Sequence, residues 1–386
     1  TCALPICTFW LEDVDGGSDF GRISLQEMST RLCGSADLFA TEPGRGAPAS
    51  INFVSCHDGF TLTDLTRYRS KHNEANGENN NDGSSVNHSA NFGVEGVTDD
   101  PDVIAAREQA AMNMIGMLLL SLGTPMMLAG DEFRNTQDGN NNAYCQDNDI
   151  TWLKWDWMYS TNKTREMRRL ETVSRLVALR KSLDLYHHED FFTRLTQLGL
   201  LKPSSRVQWF LPDGTTPMER DWFDLGVRSF TMRLLSNSEV DVCIVVNGTA
   251  DDRTFRLPPD THWTPKWCSA EINGRRAGHG TQVEECDLNG DTTVWTQHVP
   301  DASETVLKMV EEVAMQRTES STENEADTIE FTMPVTDHAA NGTSSVPRDE
   351  VSADMPDAPV DDTPDTPVDD NVWTMPALSI TLMKQV

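Results

Sequence analysis

No two of the eight cysteines stand in a Cys-x-x-Cys spacing, which speaks against a zinc or dithiol motif and suits a reducing compartment. No unbroken apolar run reaches bilayer length, and nothing at the start resembles a signal peptide. A soluble, cytoplasmic protein is the expectation. No acidic ligands fall in an EF-hand spacing, so neither metal nor cofactor is expected. Basic residues are scarce, with 31 Lys and Arg against 61 Asp and Glu. At a formal charge of -30 the chain repels polyanions, so neither nucleic acid nor membrane is expected as a partner.

The acid is unevenly spread. Between Glu311 and Asp370, 17 acidic residues face only Arg317 and Arg348, half of the net charge. This stretch has Phe331 as its only aromatic and repeats Pro-Val-Asp-Asp at 359–362 and 367–370. It reads as a disordered acidic insert. What remains of the 386 residues is enough for two domains around sizeable cores. The first residue is Thr rather than Met, and 1–6 reads as the translation of a sequencing adapter, leaving a natural sequence that starts near Cys7 inside an element.

Ser24 and Glu27 form a capping-box pattern that opens a helix, with Gly34 as its stop. Residues 50–54 read as a buried strand, because Ile51, Phe53 and Val54 supply strand-forming bulk. The strand runs into His57-Asp58-Gly59. A carboxylate just past a strand end faces the active site of a parallel barrel. Thr61 and Asp64 form a second capping pattern for a helix running past Tyr68, which frees Asp58 from capping. A polar loop over 71–96 follows.

Asp100 and Pro101 start a helix through Leu122 whose Met112, Met114 and Met117 are core filler. Residues 126–129 read as a second short buried strand, ending in Gly130-Asp131-Glu132 and another Asn-rich loop. Two units of helix, strand, acid and polar loop predict the end of a (β/α)8 barrel, over 7–194. A one-sided helix over 165–183, with Met167, Leu170, Val173 and Val177 inward, closes the helical layer.

Short alternating runs at 207–211, 229–235, 240–246, 253–257, 292–297 and 377–382 predict an all-β sandwich of its own over 195–386, interrupted by the insert. The expected fold is therefore α/β: the C-terminal part of a TIM barrel followed by a β-sandwich. The Asn-dense loops offer hydrogen bonds to sugar hydroxyls, and Asn76, Asp131, Asn140 and Tyr144 are the expected substrate contacts, with a supporting, arginine-paired role open as the alternative for Asp131 and Glu132.

Ile51-Asn52-Phe53 through His57-Asp58-Gly59-Phe60-Thr61-Leu62, with Lys71-His72-Asn73-Glu74-Ala75-Asn76-Gly77-Glu78, resembles the glycogen debranching enzymes of the α-amylase superfamily. The resemblance continues through Asn91-Phe92-Gly93-Val94-Glu95-Gly96, Gly130-Asp131-Glu132-Phe133, the run 140–148 and Trp152 to Asp156. It spans roughly residues 8–250, with Ala90 where the family has tryptophan.

The resemblance implies hydrolysis of α-1,6 branch linkages in glycogen, limit dextrin or related maltooligosaccharides by a retaining, two-carboxylate mechanism. It assigns Asp58 as the carboxylate that stabilises the transition state and His57 as its partner. It leaves the nucleophile and general acid upstream: Glu12, Asp13, Asp15 and Asp19 lack the motif context, so this piece alone is expected to be inactive. A non-catalytic α-glucan-binding protein, or another hydrolase of the superfamily, stays open as the alternative.

Overall fold

A computed structural model describes residues 3–11, 22–39, 45–187, 207–236, 240–259, 262–279, 284–285, 371–376 and 379–385. All of them fall in one compact unit, residues 1–302 with 368–386. The acids at 12, 13, 15 and 19, the expected strand over 292–297 and the acidic insert lie outside the described residues.

Helix α1 (Ala3–Leu11) carries Ile6, Phe9, Trp10 and Leu11 into the core; Ile6, inside the expected adapter stretch, is 1% exposed. Helix α2 (Leu25–Leu32) begins with the expected reciprocal cap: the Glu27 amide donates to Ser24 Oγ at 3.3 Å and the Ser24 amide to Glu27 Oε2 at 3.0 Å. It buries Leu25, Met28 and Leu32 along one stripe. The chain then passes through α3 (Ala36–Phe39) to β1 (Ile51–Asn52).

Strand β1 is two residues long and Ile51 is 55% exposed, so the buried strand expected over 50–54 is corrected. The polar Asn52 faces inward instead, donating to Ser121 Oγ at 3.0 Å and to the Leu122 carbonyl at 2.9 Å. Helix α4 (Leu62–Leu65) stops after four residues rather than running past Tyr68. Its Asp64 carboxylate accepts from Thr136 and from the Gln137 amide instead of closing the cap.

Helix α5 (Pro101–Leu120) is the central element. Asp100 caps it through the Asp102 amide at 2.9 Å, Pro101 occupies the first turn, and everything from Arg107 onward is buried, Met112, Met114 and Met117 included. By length and composition it is apolar enough to cross a membrane, yet 72% of that window is buried inside the protein. A helix buried on all sides has no polar face to show.

Strand β2 (Thr124–Pro125) pairs in parallel with β1 and precedes the expected run 126–129, where Met126 is 39% exposed; that expectation is corrected too. Helix α6 (Arg165–Ser182) buries Arg169, Thr172, Val173 and Leu176, so a charged residue interrupts the expected apolar stripe. Its Arg180 donates to the Leu119 carbonyl, in the open last turn of α5, and to the Ser121 and Gly123 carbonyls just beyond it, both at 2.8 Å.

The described residues from 207 onward are mainly β. The helix α7 (Glu219–Phe223) interrupts strands β3 (Val207–Phe210), β4 (Ser229–Leu234), β5 (Val242–Asn247), β6 (Arg253–Arg256), β7 (Trp263–Cys268), β8 (Arg275–Arg276), β9 (Gly278–His279), β10 (Glu284–Glu285), β11 (Val372–Met375) and β12 (Ser379–Gln385). One antiparallel sheet has the order β3-β4-β5-β12-β7 and another β6-β11-β9.

Cys243, Val245 and Met383 of the larger sheet pack with Phe255, Trp373 and Met375 of the smaller one. On its other face Phe230, Met232, Ile244, Val246, Ile380 and Leu382 share a single core with α1, α5 and α6. The β part is therefore not the separate sandwich expected from sequence. Its main sheet is buried on both faces, which is why β4 and β5 bury every residue.

Candidate functional site

The segment after β1 is fixed by buried polar contacts at both ends while its middle stands in solvent. Ser55 and Thr61 are buried, whereas the His57 and Asp58 side chains are 87% and 75% exposed. The two lie side by side, His57 Nε2 being 3.3 Å from Asp58 Oδ2. Gly59, at φ 87°, turns the chain back, and its amide donates to the Asn141 carbonyl at 2.9 Å. Phe60 then enters the core, and the Thr61 hydroxyl donates to the Asn135 carbonyl at 3.1 Å.

Asp131 lies beneath this loop and is 3% exposed. Its Oδ2 accepts from the Ser55 hydroxyl and its Oδ1 from the Leu62 amide at 2.9 Å. Burial pushes its carboxyl up to about 7, against those hydrogen bonds and the nearby Arg169 charge. Arg169 reaches the Asp131 carbonyl at 3.4 Å and pairs with Glu108 at 2.7 Å. Arg134 also meets Glu108, at 2.7 Å, and Glu166 at 3.2 Å. Burial opposes ionisation of Glu108, but Arg169 and Arg134 outweigh it and hold the carboxyl below its ordinary value. A buried charge network thus underlies the exposed pair.

The two Asn-rich loops are sewn to each other. Asn73 and Asn141 exchange hydrogen bonds: Asn73 Nδ2 donates to Asn141 Oδ1 at 2.9 Å, and the Asn141 amide to Asn73 Oδ1 at 3.0 Å. Asn76 donates to Asp82 Oδ2 at 2.7 Å and to the Asn142 carbonyl at 2.9 Å. Its Oδ1 accepts from Asn140 at 2.8 Å and from Gln146 at 2.7 Å. Asp82, held by Asn76 and Asn142, sits below the ordinary carboxylate value. The sugar-like hydrogen bonds that these amides could offer are spent on one another.

Of the expected site residues, His57, Asp58 and Tyr144 are exposed and open to a ligand. Tyr144 donates to Glu78 at 2.5 Å, a bond that pushes its hydroxyl up to about 12. Asn140 is 1% exposed and Asp131 3%, and both are engaged inside the fold. Their expected role as sugar contacts is corrected to loop support: a side chain with its polar atoms buried and paired has none to spare. The half-buried Asn76 belongs to the same network.

Sequence reasoning missed Ser55 and Arg169 and read Asp64 only as a cap, although the three carry much of the geometry. The signal for Arg169 was a charge inside an otherwise apolar helical stripe. It also passed over an aromatic cluster: Phe133 lies 4.8 Å from Trp155 and 5.3 Å from Trp157 between ring centres, and the Trp155 ring is partly exposed.

No protein-family profile matches the chain. It is 44% identical over 213 residues to the glycogen operon protein GlgX homolog of Mycobacterium tuberculosis, covering 54% of this chain and 28% of that protein. It is 37% identical over 282 residues to the glycogen debranching enzyme of Pectobacterium atrosepticum, covering 72% of this chain and 38% of that one. Among solved structures, the pullulanase from Bacillus acidopullulyticus aligns over 74% of this chain and 27% of its own, with 17% identity and a TM-score of 0.43. The chain spans well under half the length of the curated relatives it matches.

Proposed function

We propose that this chain is part of a glycogen-debranching glycoside hydrolase, carrying a portion of a (β/α)8 barrel joined to a β-domain and acting on α-1,6 branch linkages of glycogen-like glucans. The observation that carries the reading is an exposed His-Asp pair on a loop fixed at both ends by buried bonds, in a chain similar to glycogen debranching enzymes. An acid and an imidazole without structural work, held in place at that expense, are suited to grip a ligand.

In this role Asp58 holds ring hydroxyls and offsets the positive charge that grows on the sugar as the bond breaks, with His57 beside it. Retention also requires a nucleophile and a general acid about 5–5.5 Å apart. No described residue fills those two roles, so the isolated chain is expected to be inactive. Tyr144 offers an exposed ring at the rim, while Asn76 and Asn140 shape the loops that frame it. The test is a debranching assay on the longer protein with a phosphorylase limit dextrin and with linear maltooligosaccharides. Release of linear chains from the branched substrate alone supports the proposal; cleavage of the linear substrate alone contradicts it.

A further inference from the structure

The loop that carries His57 and Asp58 leaves the body of the protein at Ser55 and returns at Leu62, and one buried carboxylate meets it at both points. Asp131 Oδ2 takes the Ser55 hydroxyl and Asp131 Oδ1 takes the Leu62 amide at 2.9 Å. Between these anchors the chain meets the rest of the protein through the Gly59 amide, the buried Phe60 ring and the Thr61 hydroxyl.

We infer that Asp131 is a positioning residue, a staple whose two oxygens set the separation and orientation of the loop's ends and so hold Asp58 where the substrate meets it. The inference rests on the functional reading above. It moves Asp131 from expected sugar contact to a residue that acts through another.

Three features support it. Asp131 is 3% exposed, beyond the reach of a glucan. Its backbone is itself held, because Arg169 donates to the Asp131 carbonyl at 3.4 Å and to the Thr63 hydroxyl at 3.2 Å. Arg169 is anchored in turn to Glu108 of α5 by two hydrogen bonds, at 3.1 and 2.7 Å. The staple is therefore fastened to the central helix through two charge-assisted hydrogen bonds on one carboxylate oxygen, Glu108 Oε2. A carboxylate is also the side chain suited to the place: each oxygen accepts, and both donors point at it.

The test uses the longer protein containing this chain, with Ser55→Ala, Asp131→Ala, Asp131→Asn and Asp58→Asn. Ser55→Ala removes one arm by deleting a single hydroxyl and keeps the test usable if Asp131→Ala does not fold. Misplacing a reacting group by about 1 Å costs up to roughly a hundredfold in rate. Ser55→Ala is therefore expected to lower kcat roughly ten- to hundredfold with KM nearly unchanged, and to speed amide exchange at 56–60 but not in the sheet. Asp131→Asn keeps an acceptor for Leu62 and a donor for Ser55 Oγ, and is expected to restore most of kcat. Ser55→Ala with kcat within twofold of the parent, while Asp58→Asn abolishes turnover, overturns the staple and leaves the functional reading standing. Near-normal turnover of Asp58→Asn overturns both.

Discussion

The indole of Trp267 lies against the bare backbone of Gly116, so close that a Cβ at Gly116 would come within 2.8 Å of it. Gly116 sits in the middle of α5, where glycine otherwise weakens a helix. The contact explains its presence and joins the helical part to β7. Trp267 is fully buried and its Nε1 donates to the Thr172 carbonyl of α6 at 3.2 Å. One tryptophan thus ties the β part to two helices.

Gly116→Ala is therefore expected to destabilise the chain by about 1–3 kcal/mol, the cost of overpacking a tight core, despite the better helix propensity of alanine. Urea unfolding checks this; a stability equal to or above the parent's means that Trp267 moves aside freely.

Glu108 is shared by Arg169 and Arg134 at 2.7 Å each, with side chains at most 9% exposed. Glu108→Leu leaves two buried guanidinium groups facing each other across an apolar side chain. The expected loss is about 3–5 kcal/mol, as for other buried pairs broken on one side. Denaturant titration of this variant beside Arg169→Met and the double variant measures the coupling.

Asp131 supplies a pH dependence. Its carboxyl is raised by burial to about 7, so between the unfolded value near 3.8 and that point the folded state holds a proton that the unfolded state has released. Stability from this group is fully present below about 4 and is lost as pH rises through about 7. Asp131→Asn removes that titration, so its stability relative to the parent should rise between pH 4 and 7. A constant difference across that range contradicts the assignment.

Local signals in the sequence translated well where they were self-contained. The Ser24 and Glu27 box and the Asp100-Pro101 start depend on residues at most three apart, and both form as read. The second box at Thr61 did not extend its helix, because Asp64 is claimed by Thr136 and Gln137 from a distant loop. Strand β7 escaped notice because Pro265 interrupts its pattern. The structure tolerates that proline at the sheet edge, beside a register shift opposite Met383.

The site was legible in part for the same reason. His57 and Asp58 stand out against their own neighbours as polar residues without a local task, and they are exposed together. The Asn-rich loops read as sugar-binding because composition does not reveal pairing. Asn73 and Asn141 are 68 residues apart and satisfy each other. From sequence Asp131 reads equally as a site acid or as a support, and its depth beneath the loop favours the second.

Whether Asp58 acts on the substrate is decided by the turnover of Asp58→Asn in the longer protein on a branched limit dextrin, with its melting temperature taken alongside. A loss of roughly a hundredfold or more is expected, as for removal of a transition-state contact. Because the Asp58 side chain is largely exposed, the melting temperature should stay close to the parent's. Near-normal turnover with a lowered melting temperature would contradict that role and make Asp58 a structural residue.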